Sequence, residues 1–189
     1  MEKRVWYFEK AGRENTEACL QVVRGAVEDK RFRHLVIAST VGDTGVMFSE
    51  ALKGSGLHIV VVTHSAGFKA PNTLEMSEET RGRIVQAGAR VYTGTMVTHS
   101  LETAFAAKFN GTSPSLIVAQ ALRRFGEGSK VCCEIVMMAV DAGLIPEGEE
   151  ILAVAGTARG ADTVLVVRSA ASKRFLELKV LEILAKPRE

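Results

Sequence analysis

Six consecutive residues, Thr40, Val41, Gly42, Asp43, Thr44 and Gly45, have the types and spacing that can hold an anion. They stand between an apolar run at 35–39, which reads as a buried strand, and a run at 46–53, which reads as a helix. A turn of this kind leaves several backbone N–H groups unpaired at the start of a helix. Those donors, backed by the helix dipole, suit a phosphate. Glycine lets the backbone come close, and threonine hydroxyls add hydrogen bonds to phosphate oxygens. An ordinary strand-to-helix turn with Asp43 or Thr44 as the N-cap explains the same residues equally well.

Three further stretches repeat this chemistry. His64 and Gly67 follow an apolar run at 58–63, Thr95 and His99 follow one at 89–93, and Gly156, Thr157, Arg159 and Gly160 follow one at 150–155. In an open α/β sheet, ligands bind beyond the carboxyl ends of the strands, and right-handed crossovers gather such loops on one edge. Four Gly/Thr loops on one edge argue for a ligand site better than one loop does. His64 and His99 sit in matching Thr-His-Ser triplets, where they can serve acid–base chemistry or simply bond a loop carbonyl. Arg159 can clamp a phosphate or stand as a solvated loop charge. His34 and His58 begin their strands, on the opposite edge, and read as structural.

No catalytic residue is assigned. Ser39, Ser65 and Ser100 lack the GxSxG setting of a nucleophile elbow, and neither a GxGxxG nor a GxxxxGK[ST] motif is present. Cys19, Cys132 and Cys133 form no CxxC pair, and two histidines with Asp43 lack the close spacing of a zinc site, so no metal is expected.

The elements that must position these loops follow from the pattern. The 189 residues suffice for one well-buried core, so a single domain spanning 1–189 is expected. Hydrophobic content of 47 % with 24 % charged residues fits a soluble globular chain. A net charge of +2 argues against nucleic acid and anionic membrane as partners, and no signal or membrane-length apolar run is seen, so a cytoplasmic location is expected. A strand is expected at 5–8 and a helix from Asn15 or Thr16 to about 27. Further helices are expected at 77–88, capped by Ser77, at 101–108, and after Thr112 or Ser113. Ser129 reads as the cap of a strongly apolar helix at 130–142, buried on most sides. The run at 163–167 follows too closely for a helical crossover and should pair antiparallel or turn sharply. For the tail at 175–184 an edge strand is preferred, with a helix as the alternative.

With these loops in view, the chain resembles a small archaeal and bacterial family similar to the C-terminal α/β domain of pyruvate kinase. The resembling segments are 7–10 with 15–17, 39–45, 93–95, 125–146 and 156–162, the last two being the most specific. The resemblance implies a three-layer α/β fold, a mostly parallel sheet with helices on both faces. In pyruvate kinase that domain is regulatory and holds a phosphorylated effector on a Ser/Thr-rich loop, which residues 39–45 match in position and composition. The stand-alone family implies flavin mononucleotide (FMN) as the cofactor. Residues 40–45 would then hold its phosphate, and the ring would lie among His64, Gly67, Thr95, His99, Thr157 and Arg159. The chain is far too short for the kinase barrel, so kinase catalysis is not expected. Two alternatives stay open: an enzyme, either a flavin-dependent oxidoreductase or one acting on a phosphorylated metabolite, and a ligand-sensing regulatory protein. Formation of a homo-oligomer is also left open.

Overall fold

The unbroken β-branched runs form the middle of one seven-stranded sheet in the computed structural model, which describes residues 2, 4–28 and 31–189. The strands are β1 (Trp6–Phe8), β2 (His34–Ala38), β3 (His58–Thr63), β4 (Arg90–Thr93), β5 (Glu150–Ala155), β6 (Thr163–Arg168) and β7 (Lys179–Pro187), in the order β1-β7-β6-β5-β2-β3-β4. Only β6 runs against the others: it pairs antiparallel with β5 and β7, and the remaining pairings are parallel. The strands β2, β3 and β5 read as continuous apolar runs because both of their faces are covered.

Alternate residues of β2 show the two faces. Leu35 and Ile37 pack with Cys19, Leu20 and Val23 of α1 (Thr16–Glu28), Phe48 of α2 (Asp43–Ala51) and Ile84 of α3 (Glu78–Gln86). Val36 points the other way, onto Cys132, Ile135, Val136 and Ala139 of α6 (Glu127–Asp141). Two further helices, α4 (Leu101–Phe109) and α5 (Pro114–Leu122), lie between β4 and α6 in the chain. The result is the three-layer, mostly parallel α/β arrangement that the sequence implies. Among the described residues, no helix is long and apolar enough to cross a membrane.

Several local expectations are corrected. The tail is a strand from Lys179 onward, as preferred, but not at the edge of the sheet. Residues Ser172–Glu177 form a 3-10 turn, and β7 then lies inside the sheet between β6 and β1. Its sequence, with Lys179, Glu182 and Lys186 charged among nine residues, reads as an edge, and the strand that covers it, β1, is only three residues long. Ser129 does not cap α6: the helix begins at Glu127 after Gly126, and the Ser129 hydroxyl donates to the Phe125 carbonyl. Asp43 and Thr44 are not the N-cap of α2. That position is Gly42, in the left-handed region with φ of 106°, and among the described residues no side chain caps the helix.

Candidate functional site

The loop after β2 is tied down from behind and left open in front. Ser39 Oγ accepts the Gly45 N–H at 3.0 Å, and the Val46 N–H reaches the Gly42 carbonyl at 2.8 Å. Gly42 is required for its positive φ and because a Cβ there would lie 2.1 Å from Thr80 Cγ2. Gly45 packs against Val61 and Ile84, so both glycines face protein rather than the open side of the turn. Among the described residues, nothing accepts from the backbone N–H groups of Val41, Gly42, Asp43 and Thr44. The Thr44 hydroxyl has no partner among them either; the residue is only 5 % exposed, but the hydroxyl itself is not a buried atom. A helix start leaves its first N–H groups without an internal acceptor, and here, Ser39 on Gly45 apart, no side chain among the described residues takes its place.

The carboxyl ends of β2, β3 and β5 and the loop after β4 meet around a cavity of about 270 Å³. Of the residues singled out from sequence, Thr40, Val41, Asp43, Thr44, His64, His99, Gly156, Arg159 and Gly160 line it. Gly42, Gly45, Gly67, Thr95 and Thr157 are not in its wall. The Thr157 N–H instead donates to Asp162 Oδ2 at 3.0 Å, and the same oxygen accepts the Gly12 N–H at 3.1 Å. The fully buried Asp162 thereby holds the loop after β5 against the segment before α1.

A second cavity, of about 180 Å³, shares Asp43, Thr44, Arg159 and Gly160 with the first and adds Arg13, Thr16 and Met47. Two arginines therefore flank the start of α2. Among the described residues, the Arg159 guanidinium makes only an exposed 3.3 Å contact with Asp43, and Arg13 makes no ion pair. The sequence reading missed Arg13, which stands in a 3-10 turn distant in the chain. Gly160 brings it in, because a Cβ there would fall 2.5 Å from Arg13 Cα.

His64 is oriented at the larger cavity. Its Nδ1 lies 2.8 Å from Glu75 Oε1, and its Nε2 is 3.4 Å from Thr40 Oγ1. Phe68 rests on the His64 ring at 4.3 Å between centroids and tilts toward His99 at 5.7 Å, closing one side. The long loop thus supplies Phe68 to the wall and, in Glu75, the support of His64.

The far wall comes from α6 and was not foreseen. Glu127, Lys130 and Glu134 recur along one helix face, beside Val131, Ile135 and Met138. Arg123 Nε donates to Glu127 Oε2 at 2.6 Å. Lys130 Nζ lies 2.5 Å from Glu134 Oε2, and Glu134 Oε1 accepts both the N–H and the hydroxyl of Thr98, at 2.8 and 2.7 Å. Burial pushes the Glu134 carboxyl up, but the Lys130 charge and these hydrogen bonds outweigh it and hold the group below the usual carboxylate range. The signal for this pair was two charges four residues apart inside an otherwise apolar helix.

The cysteines take no part. All three are buried; burial pushes the Cys133 thiol up to about 11, and burial with the nearby Asp162 charge pushes Cys19 to about 12. Among the described residues, no cluster of three or more His, Cys, Asp or Glu side chains is placed to hold a metal ion.

Comparison with known proteins fixes the lineage of this architecture. The model of the family described as "Pyruvate kinase, alpha/beta domain" matches residues 17–167. The chain belongs to that family. Among solved structures it is similar to a pyruvate kinase from Cryptosporidium parvum, at 15 % identity over 82 % of this chain and 23 % of that one, with a TM-score of 0.43. A Cryptosporidium parvum pyruvate kinase in complex with ADP gives 16 % identity over 82 % and 24 %, with a TM-score of 0.42. An O-ureido-L-serine synthase gives 14 % identity over 67 % and 48 %, with a TM-score of 0.32. The chain spans about a quarter of the length of these pyruvate kinases, matching 23 % and 24 % of them.

Proposed function

We propose that this family member binds a small phosphorylated ligand at the carboxyl edge of its sheet, and that the ligand is FMN. The observation that carries the reading is the set of partnerless donors at the start of α2. The amides of Val41, Asp43 and Thr44 and the Thr44 hydroxyl have no partner among the described residues, and Asp43 and Thr44 line the same space as Arg13 and Arg159, an arrangement suited to a dianion. The larger cavity adds a mixed wall: Met96, Phe68, Ile135 and Met138 are apolar, while His64, Lys130 and Glu134 are polar. That combination fits a ring carrying polar edges. At about 270 Å³ the larger cavity alone sits at the small end of ligand sites, and the adjoining 180 Å³ beside Arg13 provides room for the phosphate end.

When bound, FMN would supply redox chemistry. The chain's own part is to fix the phosphate through residues 40–45, Arg13 and Arg159, and to enclose the ring between Phe68 and α6. Titration of purified protein with FMN and with riboflavin tests this. FMN should bind at least tenfold more tightly, since the phosphate makes charge-assisted hydrogen bonds that riboflavin cannot. Equal affinity for the two would remove the phosphate site from the reading.

A second reading, an enzyme at the same site, is favoured by one observation. His64 is held on one ring nitrogen by Glu75 and presents the other beside Thr40 at the cavity wall, the arrangement of an oriented acid–base histidine. Oxidation of a reduced nicotinamide by the FMN-loaded protein, lost in His64→Gln with flavin still bound, would support it. No turnover with any metabolite or electron donor would leave a binding protein.

A further inference from the structure

Lys130 and Glu134 are each 3 % exposed in their side chains, and both form part of the larger cavity's wall. Burying such a pair is expensive, and apolar residues of similar volume would serve stability as well or better. The hydrogen bonding around it is also lopsided. The carboxylate accepts three donors, one from Lys130 and two from Thr98. The ammonium has three N–H donors, and among the described residues Glu134 accepts one of them. The other two have no protein acceptor among those residues, in a group that borders a ligand-sized space.

The placement along the cavities adds direction. Arg13 and Thr16 line only the smaller space, Lys130 and Glu134 only the larger, and Thr44 and Arg159 line both. The Lys130 end is therefore the end remote from Arg13. Around it the wall is apolar, with Met96, Val131, Ile135 and Met138. An apolar surround strengthens a charged hydrogen bond and makes an unmet one costly.

We infer that Lys130, held by Glu134, is the specificity residue for the non-phosphate end of the ligand, where it donates to a carbonyl or carboxylate oxygen. This rests on the phosphorylated-ligand reading above; for FMN the acceptor is the carbonyl edge of the pyrimidine ring. Glu134 is then a positioning residue: it fixes the ammonium and, through Thr98, ties the loop after β4 to α6. The ligand class is thereby narrowed to phosphate esters with an oxygen acceptor across a flat apolar body, and plain sugar phosphates are disfavoured.

The test compares two probes on the full chain: FMN, and ribitol 5-phosphate, which keeps the phosphate and its chain but lacks the ring. Lys130→Met should weaken FMN binding about 10- to 100-fold, the scale of one charge-assisted hydrogen bond, and leave ribitol 5-phosphate binding within about twofold. Because Lys130→Met strands a buried carboxylate, the double variant Lys130→Met with Glu134→Gln is measured beside it; there the amide oxygen still accepts from Thr98. A variant-free readout is the ¹⁵Nζ resonance of Lys130 in wild-type protein, expected to shift on adding FMN and to stay in place with ribitol 5-phosphate. If the wild type binds FMN while the variants bind it equally well, or the Lys130 resonance is unmoved, the inference falls and the phosphate reading stands. If the wild type binds neither probe, the phosphate reading falls and takes the inference with it.

Discussion

His34 stacks on His58 with ring centroids 5.3 Å apart, at the first paired positions of β2 and β3 and on the edge opposite the cavities. The Nδ1 of His34 is buried without a hydrogen-bond partner among the described residues, and its Nε2 is 3.4 Å from Glu149. Burial lowers the His34 pKa most, the neighbouring His58 and Arg33 push it the same way, and Glu149 opposes them. With the folded pKa below the unfolded value of about 6.5, the unfolded chain binds more protons in the acid range. Stability from this group is present above that value and is lost as pH falls from about 6.5 toward the folded pKa. Urea midpoints should drop between pH 7.5 and 5.5, and His34→Phe should flatten that drop. An equally steep fall in the variant would assign it to other groups.

Thr44→Val separates the ligand role of the loop from its folding role. The Thr44 hydroxyl has no partner among the described residues, so the substitution breaks no internal hydrogen bond and keeps the shape. Stability should change by less than about 0.5 kcal/mol in denaturant titrations. FMN affinity should fall about 3- to 10-fold, the worth of one hydroxyl-to-phosphate bond, with riboflavin unaffected. A stability loss without an affinity loss would make Thr44 a structural residue.

Arg13→Gln probes the cation that the sequence reading overlooked. If Arg13 and Arg159 both meet the phosphate, the variant should bind FMN about 3- to 10-fold more weakly and show a shallower salt dependence than the wild type. Both are read from titrations at two ionic strengths. Unchanged affinity and salt dependence would leave Arg13 as a bystander at the cavity mouth.

What the sequence revealed and what it hid have physical reasons. The bounds of β3 and β5 follow from unbroken apolar runs stopped by Gly and polar residues, and residues 58–63 and 150–155 form strands as expected. The gathering of loops at one edge followed from the parallel order, which β2, β3, β4 and β5 obey. Lys130 and Glu134 were hidden because charges four apart on a helix usually mark a solvated face. Only the burial of α6 on nearly every side turns that pair inward. Arg13 was hidden because its approach depends on a tertiary contact with Gly160, 147 residues away by number.

Gly160→Ala tests that contact. Gly160 has φ of +76°, and a Cβ there would lie 2.5 Å from Arg13 Cα and 2.6 Å from Thr16 Oγ1. The left-handed backbone and the backbone overlap together should cost about 2–4 kcal/mol. Gly54 is the control: its φ of +81° carries the first penalty, but among the described residues nothing lies within 4 Å of a Cβ there, so Gly54→Ala should cost about 1–2 kcal/mol. A similar loss in both variants would show that the close approach of Gly160 to Arg13 contributes nothing.

Asp162→Ala and Asp162→Asn should differ sharply, and the difference measures what holds the loop after β5 in place. The carboxylate accepts the N–H groups of Gly12 and Thr157 on Oδ2 and the Thr163 hydroxyl on Oδ1, at 3.1, 3.0 and 2.7 Å. In Asp162→Asn the amide oxygen can take both backbone N–H groups, while the Thr163 hydroxyl rotates to accept from the new NH₂; the loss should be about 1–2 kcal/mol. In Asp162→Ala all three donors lose their acceptor at a fully buried position, and the loss should be about 3–5 kcal/mol. Because Gly12 precedes Arg13 and Thr157 precedes Arg159, the alanine variant should also lose FMN affinity in proportion, beyond any unfolding at the assay temperature. Equal stability of the two variants in urea titrations would mean that the three donors find water instead, and that the loop is held by packing around Gly156 and Gly160 alone.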